Sequence, residues 1–220
     1  MKTIPVYNSN EVFSIQKIFC IGKNYAEHAK EMRGEIPESP IIFLKPTSAI
    51  ISNGEPIVIP SLSKQAHYEV ELVVAIGKEG KKISEENAEN FIFGYAVGFD
   101  MTLRDVQSEA KKNGLPWTLA KGFDTSAPIS PIVLKSLFEK EKPPEFFCKL
   151  NGTERQRGTS NEMLFSPAKL LAYISKFFTI EIGDLIFTGT PHGVGEVHHN
   201  DILEGTLDGF LSIRHQVLFQ

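Results

Sequence analysis

Residues 67–77 read His67-Tyr68-Glu69-Val70-Glu71-Leu72-Val73-Val74-Ala75-Ile76-Gly77. From Val70 onward the stretch is rich in β-branched residues and closes at a glycine, which predicts a strand. The run Leu72–Ile76 is too continuously apolar for a strand with one face in water, so it predicts a strand covered on both sides. Glu69 and Glu71 then point to one face, roughly 7 Å apart by the strand rise. An E-x-E pair is ordinarily a solvated edge, and the apolar continuation argues against that here. Asp100 ends the next β-like run, FIFGYAVGFD, where a helical pattern begins. Three carboxylates converging in a partly buried place would repel and take up protons unless a cation joined them. All-oxygen ligation suits Mg²⁺, Mn²⁺ or Ca²⁺, with positions left to water or substrate.

Outward from this stretch, further β-type runs recur: KIFCIG, PIIFLK, PIVIP, PIVL, FFCKLNG, DLIFTG and GFLSIRHQVLF. Helical patterns are fewer. NYAEHAKEM has Asn24 as a candidate cap, and TLRDVQSEAKK is a second helix. SPAKLLAYISKFF is the clearest, with Ser166 as cap, Pro167 at the first helical position and a stripe of Leu170, Leu171, Ile174 and Phe178. Residues 139–145 (EKEKPPE) read as a charged, Pro-broken surface turn. Strands outnumber helices, so the class is α+β, mostly β, and not a doubly wound parallel sheet. The 13 prolines and 17 glycines are spread without a linker or repeat. Residues 1–220 therefore read as a single domain, with 1–17 as an N-terminal extension.

The chain of 220 residues can bury roughly 70% of its unfolded surface, so no disulfide or metal is needed merely to hold a core. Lys+Arg of 23 against Asp+Glu of 27 gives a formal net charge of −4. That balance argues against a nucleic-acid partner, whose phosphates call for a basic surface. No apolar run reaches the roughly 18 residues of a membrane span, so no membrane partner is expected. The opening MKTIPVYNSNEVF lacks the pattern of a signal or transit peptide. Cys20 and Cys148 sit among apolar neighbours and read as reduced core residues, which together predicts a cytoplasmic protein.

Nucleotide loops, elbow serines, H-E-x-x-H and C-x-x-C motifs are all missing from the sequence. Two further groupings could carry chemistry. His28 and Glu31 lie at i and i+3 on one helical face. In so charged a segment the plain reading is a surface ion pair. The functional one is an imidazole oriented by a carboxylate to act as a base or to activate water. Asp184-Leu-Ile-Phe-Thr-Gly-Thr-Pro-His-Gly-Val-Gly is a strand feeding a turn whose N–H groups could hold an anion, or merely a Gly-rich connection. Lys121 alone reads as a surface lysine, and His192, His198, His199 and His215 as surface or loop residues.

Taken in order, GKNYAEHAKEM, PIIFLKPTSAI, HYEVELVVAIG, GYAVGFDMTLRDVQ, GLPWTLAKGFDTSAP and GDLIFTGTPHGVG resemble the fumarylacetoacetate hydrolase family. The likeness spans residues 18–197 and is strongest to the short branch of acylpyruvate hydrolases, oxaloacetate decarboxylases and 2-hydroxyhepta-2,4-diene-1,7-dioate isomerases. It implies a mixed β-roll or sandwich, a homodimer, and one Mg²⁺ or Mn²⁺ per subunit held by Glu69, Glu71 and Asp100. It implies catalytic roles for His28 and Glu31, on a candidate lid over about residues 24–38, and for Lys121. It implies substrate contacts from Arg104, Gln107 and Thr190. Lys23 stands where relatives often carry Arg, and lysine lacks the bidentate fork. The implied substrate is a small β-dicarbonyl 2-oxo acid, whose chelation to the metal stabilises an enolate. Hydrolysis or decarboxylation at a C–C bond is the leading outcome. Tautomerisation or isomerisation is the alternative, and an inactive binding protein of the same fold is a third reading.

Overall fold

The structure is a computed structural model that describes residues 2–31, 35–138 and 142–220. At its centre lies a six-stranded mixed sheet, ordered Val133–Leu134, Ile92–Phe99, Val70–Ile76, Leu185–Phe187, Ile18–Gly22, Ile41–Lys45. All its pairings are antiparallel except that of Leu185–Phe187 with Ile18–Gly22. A five-stranded sheet packs beside it in the order Thr153–Thr159, Glu145–Leu150, Ile202–Leu207, Leu211–Phe219, Ile57–Ile59. A small third sheet joins Thr102–Leu103, Ala66–Tyr68 and Gly195–Glu196. The expected mostly-β, mixed-sheet class is the one observed.

Val70–Ile76 is buried at every position. Its period-2 alternation divides two cores. Val70, Leu72, Val74 and Ile76 join Phe146, Leu203, Ile213 and Val217 between the two large sheets. Val73 and Ala75 join Ile18, Cys20, Leu185 and Phe187 on the opposite face, closed over by Ile4, Val6, Phe13 and Ile15 of the first seventeen residues. Each such aliphatic side chain taken from water contributes roughly 1.5–3 kcal/mol, which fixes the register that places Glu71.

The clearest helix spans Pro167–Phe177, and the Ser166 hydroxyl caps it by accepting the Lys169 N–H. Leu170, Leu171 and Ile174 are buried as expected, whereas Phe178 lies past the helix end and is 37% exposed, edge-on to Phe19. Asn24 does not cap. It sits wholly buried before the Ala26–Glu31 helix, and its amide bonds Phe165 N–H, Phe165 C=O and Thr188 C=O. A buried amide satisfied by three distant backbone groups outweighs a local cap. His215 also departs from the surface assignment. It lies on Leu211–Phe219, 1% exposed, because strand alternation turns it inward next to the Glu55 carbonyl. Of the expected turn at 139–145, residues 139–141 lie outside the described residues, as do 32–34 of the candidate lid.

Candidate metal centre and active cleft

The strand expected to run through Glu69 is interrupted there. Ala66–Tyr68 belongs to the small sheet and Val70–Ile76 to the large one, so the chain changes sheets at Glu69. Across the ladder Glu71 faces Gly98 and Val70 faces Phe99, and the Asp100 N–H donates to the Glu69 carbonyl at 2.9 Å. Cross-strand register therefore sets Asp100 opposite Glu69. One carboxylate oxygen from each of Glu69, Glu71 and Asp100 lies within 4.8 Å of the others, and all three residues are buried.

Three cations surround this triad. Lys121 ends the four-residue helix Thr118–Lys121, and its Nζ donates to Glu69 Oε2 (2.8 Å), Asp100 Oδ2 (2.6 Å) and Thr102 Oγ1 (2.6 Å). Arg104 opens the helix Arg104–Lys112 and donates to Glu69 Oε1 (2.5 Å) and Gln107 Oε1 (2.8 Å). The third is Lys45, which sequence reasoning missed. Its Nζ lies 2.8 Å from Asp100 Oδ1 and donates to Met101 C=O, Lys121 C=O and Ser126 Oγ. The signal available in the sequence was a lysine closing the apolar strand PIIFLK, a place where burial would require partners.

The electrostatics are uneven. Burial opposes ionisation of Glu69, but Lys121, Arg104 and His28 outweigh it and hold that carboxyl well below the usual range. Burial and then the like charges of Asp100 and Glu69 push Glu71 well above it. Lys121 is buried, yet Asp100 and Glu69 raise its affinity for the proton. Asp100 Oδ1, though close to Lys45, has no hydrogen bond of acceptable geometry. A repelled carboxyl at Glu71, an orphaned oxygen on Asp100 and an all-oxygen donor set fit a hard divalent cation.

The turn after Leu185–Phe187 supplies N–H groups to carboxylates, as its sequence suggested, but the carboxylates are the protein's own. Gly189 N–H donates to Glu71 Oε2 at 2.8 Å, and Gly193 N–H donates to Glu31 Oε1 at 3.1 Å. Both glycines have φ of +95, and a Cβ would meet Asn24 Cβ at 2.7 Å in the first case and Arg155 O at 2.3 Å in the second. Glycine is required at both places. Between them, the Thr190 hydroxyl donates to Val70 C=O and accepts from Gln156 Nε2, each at 2.8 Å.

His28, only 6% exposed, has its Nδ1 3.2 Å from Glu31 Oε2. It lines the same cleft as Lys23, Glu69, Glu71, Asp100, Arg104, Gln107, Lys121 and Thr190. Every residue singled out in the sequence except Glu31 thus meets in one cleft, and Glu31 contacts it through His28. Lys111 and Trp117 also line it, and the sequence alone pointed to neither. A cleft lined by three acids, a histidine bonded to Glu31 and several cations can hold a metal chelator and move a proton.

These features together define a mixed-sheet β scaffold with a buried acidic triad that could hold a divalent cation. The chain belongs to the fumarylacetoacetate hydrolase family: the family described as "Fumarylacetoacetate (FAA) hydrolase C-terminal" matches residues 17–218. The chain is 46% identical over 202 residues to "Oxaloacetate tautomerase FAHD1, mitochondrial" of Mus musculus, covering 92% of this chain and 91% of that one. Its structure is similar to that of fumarylpyruvate hydrolase from Pseudomonas aeruginosa in complex with Mn²⁺ and pyruvate, with TM-score 0.94, 38% identity, and 100% and 96% of the two chains covered. It is also similar to 5-carboxymethyl-2-hydroxymuconate delta-isomerase from Mycobacterium smegmatis, with TM-score 0.82, 36% identity, and 95% and 83% covered. Hydrolase, isomerase and tautomerase names all occur on this one scaffold.

Proposed function

We propose that the protein is a divalent-metal-dependent enzyme acting on small β-dicarbonyl 2-oxo acids, with keto–enol tautomerisation of oxaloacetate as its reaction. The observation that carries this reading is the placement of buried His28, held from outside by Glu31, on the cleft that holds the acidic triad. Extended similarity to the mouse tautomerase supports proton transfer as the outcome. Similarity to the Mn²⁺- and pyruvate-bound hydrolase supports the second reading, C–C cleavage of an acylpyruvate or decarboxylation of oxaloacetate.

Glu69, Glu71 and Asp100 would hold Mg²⁺ or Mn²⁺, with Ca²⁺ able to occupy the same oxygens. When bound, the ion supplies a Lewis acid that stabilises negative charge on the oxygen of an enolate. Lys121 adds a fixed positive charge beside that oxygen. Arg104 and Gln107, joined to each other, orient the carboxylate of the 2-oxo acid end, and Lys23 adds a point charge elsewhere on the cleft. Glu31 fixes the imidazole through Nδ1 and leaves Nε2 to take and return the proton on the carbon between the two carbonyls. Thr190 has its hydroxyl proton committed to Val70, so toward substrate it offers a lone pair only. The Ala26–Glu31 helix acts as a lid, closed where Glu31 meets Gly193.

Chelator-treated protein, reloaded with Mg²⁺ or Mn²⁺, should be followed by NMR for enol-oxaloacetate ketonisation, oxaloacetate decarboxylation and acetylpyruvate cleavage. Fast metal-dependent ketonisation supports the proposal. Fast cleavage with ketonisation at the solvent rate replaces it with the hydrolase reading, and no metal-dependent turnover leaves a binding protein. We further propose a homodimer joined at the outer edge of Ile41–Lys45, where Leu44, Leu115 and Leu119 are exposed. Light scattering tests this. Among the described residues no helix is long and apolar enough to cross a membrane. Two buried free cysteines suit a reducing compartment, and we propose the cytoplasm. Fractionation separates this from the mitochondrial location in the mouse relative's name.

A further inference from the structure

The cations of the cleft fall into two sets. Lys121, Arg104 and Lys45 face the triad and are engaged by Glu69 and Asp100. Lys23 and Lys111 line the same cleft but are half-buried and exposed respectively, and among the described residues no carboxylate pairs with either. The Lys111 ammonium lies over the Trp117 ring, 5.1 Å from its centre, a cation–π contact that holds the charge at the cleft. Burial, followed by the charges of Arg104, Lys121 and Lys23, lowers its affinity for the proton. Lys23 is held at φ of +57, a left-handed conformation uncommon for a side-chain-bearing residue, between Ile18–Gly22 and the helix of His28.

We infer that Lys111, with Lys23 beside it, is a specificity residue that receives the distal carboxylate of a dianionic 2-oxo acid. This rests on the proposed function, since the 2-oxo acid end must lie at the triad for the other end to reach Lys111. The cations facing the triad are neutralised by the protein's acids, so a second negative charge gains most at Lys111 and Lys23. A lysine is a mobile point charge on a four-carbon stem, in contrast to the fixed fork of arginine. Lys111 therefore selects for charge and tolerates variation in chain length between the two carboxylates.

The test is calorimetric binding to Mn²⁺-loaded protein of pyruvate, a mono-anion, and 2-oxoglutarate, a dianion, in wild type and Lys111→Met. Methionine keeps an apolar stem against Trp117 and removes the charge. Wild type should prefer the dianion, and the variant should lose about 3- to 30-fold in dianion affinity while pyruvate changes less than about twofold. Rising ionic strength should erode the same preference in wild type. In turnover, kcat/KM for oxaloacetate should fall in the variant and that for acetylpyruvate should not. Equal effects on both ligands, or none, overturn the inference while leaving the proposed function in place. Failure of both ligands to bind the metal-loaded wild type overturns the inference and the proposed function together.

Discussion

Glu31 Oε1 accepts the backbone N–H of Gly193 at 3.1 Å, fastening the short helix that carries His28 to the turn that also orients Glu71 through Gly189. His28, through Glu31, and Glu71 are thus both positioned by the five-residue stretch Gly189–Gly193, and a change at either glycine reaches both.

His28→Ala should lower ketonisation by roughly 10²–10⁴-fold, the usual range for a lost positioned base, with metal affinity unchanged. Glu31→Gln should cost less in rate, because the imidazole remains. Since its contact with Gly193 weakens, amide hydrogen exchange over residues 26–31 should quicken. Equal small losses in every reaction for both variants would show the pair to be a surface ion pair.

Glu71→Gln should separate stability from binding. The buried carboxyl is disfavoured by its environment and by two neighbouring acids, so the neutral amide should raise the Tm of metal-free protein. Divalent-metal affinity, measured by titration calorimetry, should fall steeply. A lower Tm without metal would mean that Glu71 is compensated by the surrounding cations.

Gln156→Ala should destabilise the fold by about 2–5 kcal/mol in urea unfolding. Gln156 is 2% exposed, accepts the Val70 N–H, and donates to Thr190 Oγ1 and Pro191 C=O, joining the two large sheets through a single amide. Thr190→Val should cost less, since it leaves two of those bonds intact.

Burial holds His215 below its ordinary pKa, and its Nε2 has no hydrogen-bond partner. The folded state therefore prefers the neutral ring, and the unfolded state binds more protons once pH falls below about 6.5. Stability from this group is present above that pH and is lost as pH falls below it. Burial acts the same way on His67. Urea midpoints should drop between about pH 7 and pH 5 in wild type, and the slope should be shallower in His215→Gln.

What was readable in the sequence follows from the range of the forces involved. Val70–Ile76 was legible because both its faces are apolar, and Glu69, Glu71 and Asp100 because acids bounding such strands require an explanation. Pro167–Phe177 was legible because its cap and stripe are local. Lys45, Gln156 and His215 were not, because their partners lie far along the chain: Lys45 meets Ser126, Gln156 meets Val70, and His215 meets Glu55. Asn24 was misread for the same reason, as its amide is taken up by Phe165 and Thr188. Lys121 was indistinguishable from other lysines until a resemblance singled it out.

The change of sheets at Glu69 makes the acidic triad sensitive to chain insertions in one place and indifferent in another. Glu69 and Glu71 stand at the start of one strand and Asp100 just past the end of its neighbour, whereas the exposed residues 84–87 of the connection lie at the opposite end of that ladder. A single residue added between Glu69 and Glu71, or between Phe99 and Asp100, turns one carboxylate to the opposite face. Length variation in this protein can accumulate in that connection, while the ladder beneath it has to be inherited intact.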